Sequence, residues 1–530
     1  MSYSDATYLV LFLPLTILIY NLMPQKHRWK VLLIASYIFF WCISKKLIIF
    51  IIFSTFSIHH FGLWLKSIQE ERNKLLKEAE KESKKAIRAE YLKKQRKVLL
   101  LGVLIHLGIL LVLKYSGFAL ENLNALFAMI KIPISFSITK YMMPIGISFY
   151  TLQAISYITD VYHEKIQADR NLGRLALFMT FFPQIMEGPI CRYSDTAMQL
   201  WEGKKVTYQN LKSGLLRIGY GIIKKIVIAD RLNIFVQTIF EKYSEFDGGI
   251  VAIGVILYTV QLYMDFSGVM DIVIGSGEIF GIKMPENFRQ PFFSKTISEF
   301  WTRWHITLGA FFRDYVFYPL SLSEPLKKLT TKARKKLGKH YGPLISSSIA
   351  LFCVWFCNGL WHGAAWSFIF FGMYHFVLIL TGNIIEPLVN IVNEKLHIKK
   401  ENWIYKTLQI IRTTSLVFIG ELFFEAKTVK DGFAMLNRIF TQFSFNGIST
   451  GAILDKNGMD LKDFIIVGIG IIFVYIISIL KEKNVNIKKW VFGQKIVIRW
   501  LIYYAIIFVV IILGAYGMNY IPVDPMYAGF

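Results

Sequence analysis

Apolar runs recur from one end of this chain to the other: Tyr8 to Met23, residues 31–43, 47–65, 98–114, 141–158 and 249–264, Leu344 to Leu380, and residues 405–424, 463–480 and 500–517. Hydrocarbon supplies no water to an unpaired backbone group, so runs of this kind fold as helices that satisfy their own N–H and C=O groups. A hydrophobic share of 54% and a mean hydropathy of +0.45 agree. The fold class is therefore all-α, polytopic and membrane-embedded. No soluble stretch exceeds a loop and no solenoid-type repeat is evident, so residues 1–530 read as one membrane domain.

A net charge of +24 on so apolar a chain must be concentrated, and basic runs mark the cytoplasmic side. Lys26, Arg28 and Lys30 follow the first apolar run, and no basic residue precedes it. That run reads as a permanent span with the N-terminus outside, not as a cleaved signal. Residues 66–97 hold twelve Lys or Arg against six Glu, the composition of a solvated cytoplasmic helix or loop. The basic loop Lys327 to Lys339 and the group Lys481 to Arg499 are also placed inside, which puts residues 521–530 outside. The positive charge is thus assigned to the inner membrane face and its lipids, and nucleic acid is not expected as a partner. Cys42, Cys191, Cys353 and Cys357 lack the paired spacing of a disulfide framework or a zinc site, and no metal is expected.

Two stretches carry ionisable groups where apolar sequence dominates. Phe300 to Pro319 reads FWTRWHITLGAFFRDYVFYP and contains Arg303, His305, Arg313 and Asp314. Taken as one helix, it points His305 and Arg303 to different faces. Asn358 to Trp366 reads NGLWHGAAW; its Gly and Ala residues let neighbouring helices come close and leave room beside His362, which with Trp361 lies at the turn of a helical hairpin. Each histidine taken alone is also compatible with a packing role. A third stretch, TFFPQIMEGPICRYSD from Thr180 to Asp195, holds Glu187 between two prolines and reads as a re-entrant or interfacial turn. Pro144 and Gly146 likewise interrupt a span. The Gly-rich stretch after Tyr263, which includes Asp265, has neither the Lys-Ser of a nucleotide loop nor a preceding strand.

In order and spacing, MPIGISFY, FFPQIMEGPICRYSD, YMDFSG, MPENFRQPF, EFWTRWHITLGAFFRDYVFYPL, GLWHGAAW and FFEAKTVKDGF resemble the membrane-bound O-acyltransferase family. The nearer likeness is to its bacterial alginate-O-acetylation branch, from about Pro144 onward. The resemblance implies a ring of about 11–12 transmembrane helices with re-entrant segments around a central tunnel. It also implies that His362 matches the essential histidine and His305 the second one. Pro319 leads into LSLSEPL, where such sequences continue PLGGN, so the contacts of that loop depart from the pattern.

Acyl transfer from a thioester to a hydroxyl needs a base and a group that holds the developing oxyanion. His362 is the candidate base. His305 is the candidate for positioning the donor or stabilising charge, and Asp265, Arg303, Glu187 and Trp361 are candidates for orienting donor or acceptor. The reaction expected is O-acetylation of an extracellular or cell-wall polysaccharide, with cytoplasmic acetyl-CoA as donor and no tightly bound cofactor. D-alanyl transfer to teichoic acid and lipid O-acylation stay open, and a transporter is the rival of a different class. The tail resembles an FxYxxF motif with Pro525 in place of the first phenylalanine. Tyr527 is accordingly the candidate acyl relay to a separate, SGNH-hydrolase-like extracytoplasmic acyltransferase, with an aromatic anchor as the alternative role.

Overall fold

The computed structural model describes residues 1–138, 141–449 and 459–516. Their regular structure is helical, with one isolated antiparallel bridge between Phe288 and Trp304. Among the described residues, eight helical stretches are long and apolar enough to cross a membrane. The described residues divide into two units, the first formed by residues 1–138, 141–215 and 273–285, the second by residues 216–272, 286–449 and 459–516.

In the first unit, α1 (Leu13–Leu22) is followed by α2 (Gln25–Ser44), α3 (Ile48–Glu78) and α4 (Lys84–Met129). The charged segment 66–97 forms the end of α3, the turn after it and the start of α4, with most of its side chains exposed. Tyr91 Oη donates to Glu71 at 2.8 Å across that hairpin. The apolar run beginning at residue 141 becomes helical only at α5 (Ile147–Tyr162), almost every residue of which is enclosed by protein. Gly146 precedes it at φ +77°, and a Cβ there would meet the Ile185 carbonyl oxygen at 2.1 Å. Only glycine fits that approach.

After α6 (Leu172–Thr180), the chain to α7 (Tyr193–Glu202) is irregular and buried. Such backbone survives away from water only if its polar groups find partners. Here Ser36 Oγ accepts from the Phe182 N–H at 3.0 Å, and the Phe182 carbonyl accepts from Tyr3 Oη at 2.7 Å. The broken, buried turn expected from its prolines is present.

The second unit begins within α8 (Tyr208–Ile222) and continues through α9 (Asp230–Glu241) into α10 (Gly248–Ile279). The Gly-rich stretch containing Asp265 is therefore helix. A Cβ on Gly221 would lie 2.5 Å from the Gly268 carbonyl oxygen, so glycine here permits two backbones to cross closely. Next come α11 (Ile297–Arg303), α12 (Ile306–Phe312), α13 (Tyr318–Ser321) and the hairpin of α14 (Glu324–His362) with α15 (Trp366–Lys395). The basic run 327–339, expected as a loop, is helical up to a break at Gly338, φ +79°. Its Lys, Leu, Ala and Arg residues are good helix formers. α16 (Trp403–Glu425), α17 (Val429–Thr441) and the apolar helices Leu461–Glu482 and Ile496–Leu513 complete the described chain.

Candidate active site

The aromatic stretch from Phe300 does not form one helix. It breaks between α11 and α12, and His305 sits in the break at φ +45°, ψ +52°. A non-glycine residue in this left-handed region is strained by roughly 1–3 kcal/mol and persists where its surroundings impose it. The surroundings are the segment Asn287 to Arg289. The Arg289 N–H donates to the Arg303 carbonyl at 2.9 Å, and the Ile306 N–H donates to the Asn287 carbonyl at 3.0 Å. The backbone groups released by the break are thereby paired again.

Asn287 also fixes the chemistry of the ring. Its Oδ1 accepts from the Thr307 backbone N–H at 3.0 Å and from Thr307 Oγ1 at 3.0 Å, and it lies 3.2 Å from His305 Nδ1. A backbone N–H can only donate, which identifies the shared atom as the acceptor oxygen. His305 Nδ1 must then carry the proton, and Nε2 is left with the lone pair. Phe266 approaches the imidazole edge-on at 4.8 Å.

His362 is the last residue of α14. A Cβ on Gly372 would meet the Trp355 carbonyl oxygen at 2.4 Å, and one on Gly359 would meet the Phe368 carbonyl oxygen at 2.5 Å. These small residues let α14 and α15 come into close contact, as their size predicts. His362 is only 4% exposed and is packed by Phe371 at 5.8 Å and Phe424 at 4.9 Å. Trp361 lies against both histidines, with ring centroids 5.4 Å from His305 and 5.1 Å from His362. The two imidazoles, far apart in sequence, line one cavity of about 330 Å³.

That cavity is largely aromatic and aliphatic, with Trp301, Trp355 and Asn358 in its wall. Among the described residues lining it, Arg313 is the sole charged side chain and none is a carboxylate. Arg313 is itself paired with Asp314 at 2.9 Å. Asp265 and Arg303 are not in this wall. Asp265 pairs with buried Lys225 at 3.1 Å, and Lys225 also holds Asp230 at 2.8 Å. Arg303 is bound by Glu299 at 2.7 Å and Glu482 at 2.8 Å. Glu187 is buried in the irregular segment of the first unit. Tyr527 lies outside the described residues.

Sequence reasoning passed over Asn287, although it lies in the PENF motif, because no spacing rule joins it to a histidine eighteen positions later. It also passed over His375, whose Nδ1 accepts from the Trp301 indole N–H at 3.2 Å. His375 looked like one more polar residue in an apolar run.

Residues 164–334 match the membrane-bound O-acyltransferase family. A probable alginate O-acetylase of Pseudomonas syringae pv. tomato is 32% identical over 443 residues, covering 83% of this chain and 75% of that protein. A peptidoglycan O-acetyltransferase of Helicobacter pylori is 29% identical over 66% of this chain and 65% of its own length. A teichoic acid D-alanyltransferase of Bacillus subtilis is 31% identical over 53% and 69%. With these likenesses running through the segments that build the histidine cavity, the chain belongs to the membrane-bound O-acyltransferase family.

Proposed function

We propose that this membrane O-acyltransferase takes an acetyl group from cytoplasmic acetyl-CoA and serves the O-acetylation of an extracellular or cell-wall polysaccharide. The observation that carries this choice over D-alanyl transfer is the wall of the histidine cavity, which holds no carboxylate among its described residues. A D-alanyl group brings an ammonium into the site, and a buried cation without a counter-charge is strongly disfavoured. An acetyl group brings no charge. The alginate and peptidoglycan O-acetylating relatives point the same way.

In this reading His362 is the general base. It takes the proton of the attacking hydroxyl as the oxygen adds to the thioester carbonyl carbon. The tetrahedral adduct then collapses with cleavage of the C–S bond, and the departing thiolate recovers the proton from the imidazolium. His305, with its Nδ1 proton tied to Asn287, presents Nε2 as an acceptor. That suits it to orient an O–H or N–H group of a substrate and makes the neutral ring a poor oxyanion donor. Trp361 spaces the two imidazoles. Basic segments inside and both termini outside complete the topology of the proposal. The acyl group leaves on the outer side, with Tyr527 as the relay to a separate extracytoplasmic transferase.

Purified protein incubated with labelled acetyl-CoA and an oligosaccharide, with and without an SGNH-hydrolase-like extracytoplasmic transferase, tests the reading. Free thiol and an acetyl ester are expected from wild type, and neither from His362→Ala. Thiol release only from a D-alanyl thioester would replace acetyl by D-alanyl, and no thiol release from any acyl thioester would favour the transporter.

A further inference from the structure

Asn358 belongs to no role described so far. It lies one turn before His362 on α14, at the i,i+4 spacing that puts two side chains on the same helix face, and both line the same cavity. Asn358 is 8% exposed, and its Oδ1 is a buried acceptor without a hydrogen-bond partner. Buried carboxamide oxygens are rarely left so, and the exceptions call for an explanation in the groups that visit the site.

An N–H or O–H of a substrate entering the cavity can supply that partner. The attacking hydroxyl gives its one proton to the base, and any further hydroxyls differ from one acceptor to the next. The donor's thioester arm, in contrast, carries an amide N–H two carbons from the sulfur. This is the pantetheine arm, shared by coenzyme A and by phosphopantetheinylated carrier proteins. Resting on the acyl-thioester reading of the cavity, we propose that Asn358 Oδ1 accepts this amide N–H. The bond fixes the arm along α14, so that the acyl carbonyl beyond the sulfur stands beside His362. Asn358 is then a donor-binding residue that recognises the arm and is indifferent to the acyl group.

Two small thioesters separate this from a general role in catalysis or folding. S-acetyl-N-acetylcysteamine keeps the amide, whereas S-pentyl thioacetate has a chain of similar length without it. Thiol release from each is followed with the purified full-length protein, an oligosaccharide acceptor, and Asn358→Leu or Asn358→Ser. The expected result is a fall of about 10- to 100-fold in kcat/KM for the amide-bearing thioester in both variants, with the amide-free thioester turned over as by wild type. Equal losses on both thioesters, or no loss on either, would overturn the proposal. Because each variant is compared with itself on two substrates, partial misfolding cannot imitate the difference. Wild type failing to release thiol from either thioester or from acetyl-CoA would instead remove the acyl-transfer reading beneath it.

Discussion

Two regions of the second unit place polar groups away from water in opposite ways. Around Lys224 and Lys225, every charge has an opposite: Lys224 meets Asp271 at 2.7 Å, Arg217 joins Asp271 at 2.8 Å to Glu286, and Lys225 lies between Asp230 and Asp265. Around His305 and His362 the walls are mostly rings and aliphatic chains; Arg313, paired with Asp314, is the one charged side chain among the described lining residues, and the other polar groups carry no fixed charge. A paired charge is spent on its partner and holds backbone in place. A neutral group in a dry wall keeps its hydrogen-bonding capacity for whatever enters. On the proposed reading, the paired charges of this unit build the frame and the mostly uncharged histidine cavity receives the substrate.

The largest effect that tests this division is the loss of the proposed base. His362→Ala is expected to lower acyl transfer by about 10²- to 10⁴-fold with the melting temperature of the purified protein nearly unchanged. A variant equally inactive but unfolded would assign His362 to the frame instead.

Lys225→Met should do the reverse. It leaves Asp230 and Asp265, both buried, without the ammonium between them, and breaking a buried pair from one side is destabilising by about 3–5 kcal/mol. Thermal unfolding should move down sharply, while the turnover of the molecules still folded stays near that of wild type. A stable Lys225→Met protein with a lost kcat would bring Asp265 back as a catalytic group.

Asn287 stands between the two regions, next to Glu286 of the ionic frame and bonded to His305 of the cavity. Asn287→Leu removes the acceptor that fixes both the ring tautomer and the Thr307 N–H. Leaving buried donors unpaired is unfavourable by about 1–3 kcal/mol, or roughly a 5- to 150-fold loss of rate if it falls on the transition state. Asn287→Asp gives a sharper readout. A carboxylate beside the ring favours the protonated imidazole, so the acidic limb of the pH–rate profile should move to higher pH. An unmoved limb together with a lowered melting temperature would make Asn287 part of the frame alone.

The sequence carried the membrane helices and both histidines, because hydropathy and ionisable residues in apolar runs are local signals. What it did not carry was partnership. Arg303 and Asp265 stood out as charges in apolar surroundings, but Glu482 lies 179 positions from Arg303 and Lys225 lies 40 from Asp265. The break at His305 was hidden too. No Gly or Pro marks it, and the backbone is held in its left-handed turn by the Asn287 segment, which helical periodicity cannot foresee. The small residues of NGLWHGAAW were legible as a place where helices come close, and Gly359 does bring α14 against α15; which helix makes that contact was not legible, because no local signal names a partner.

Arg303→Gln is expected to have the smallest effect, and it probes the residue that looked most like an anion-binding group in sequence. The guanidinium donates to both oxygens of Glu482, at 2.8 and 3.1 Å, and to Glu299 at 2.7 Å, so little of its hydrogen-bonding capacity is left for a substrate. Glu299 and Glu482 are about one third exposed, at 28% and 34%, and solvent screening keeps such pairs near 1 kcal/mol or less. Glutamine retains a donor for one carboxylate and much of the chain's packing. Stability should therefore drop by about 1 kcal/mol, and less at high salt, while kcat and the KM for the thioester remain those of wild type. A raised KM with unchanged stability would show that Arg303 leaves its carboxylates to meet the donor, and would move it from the frame to the substrate side of the comparison.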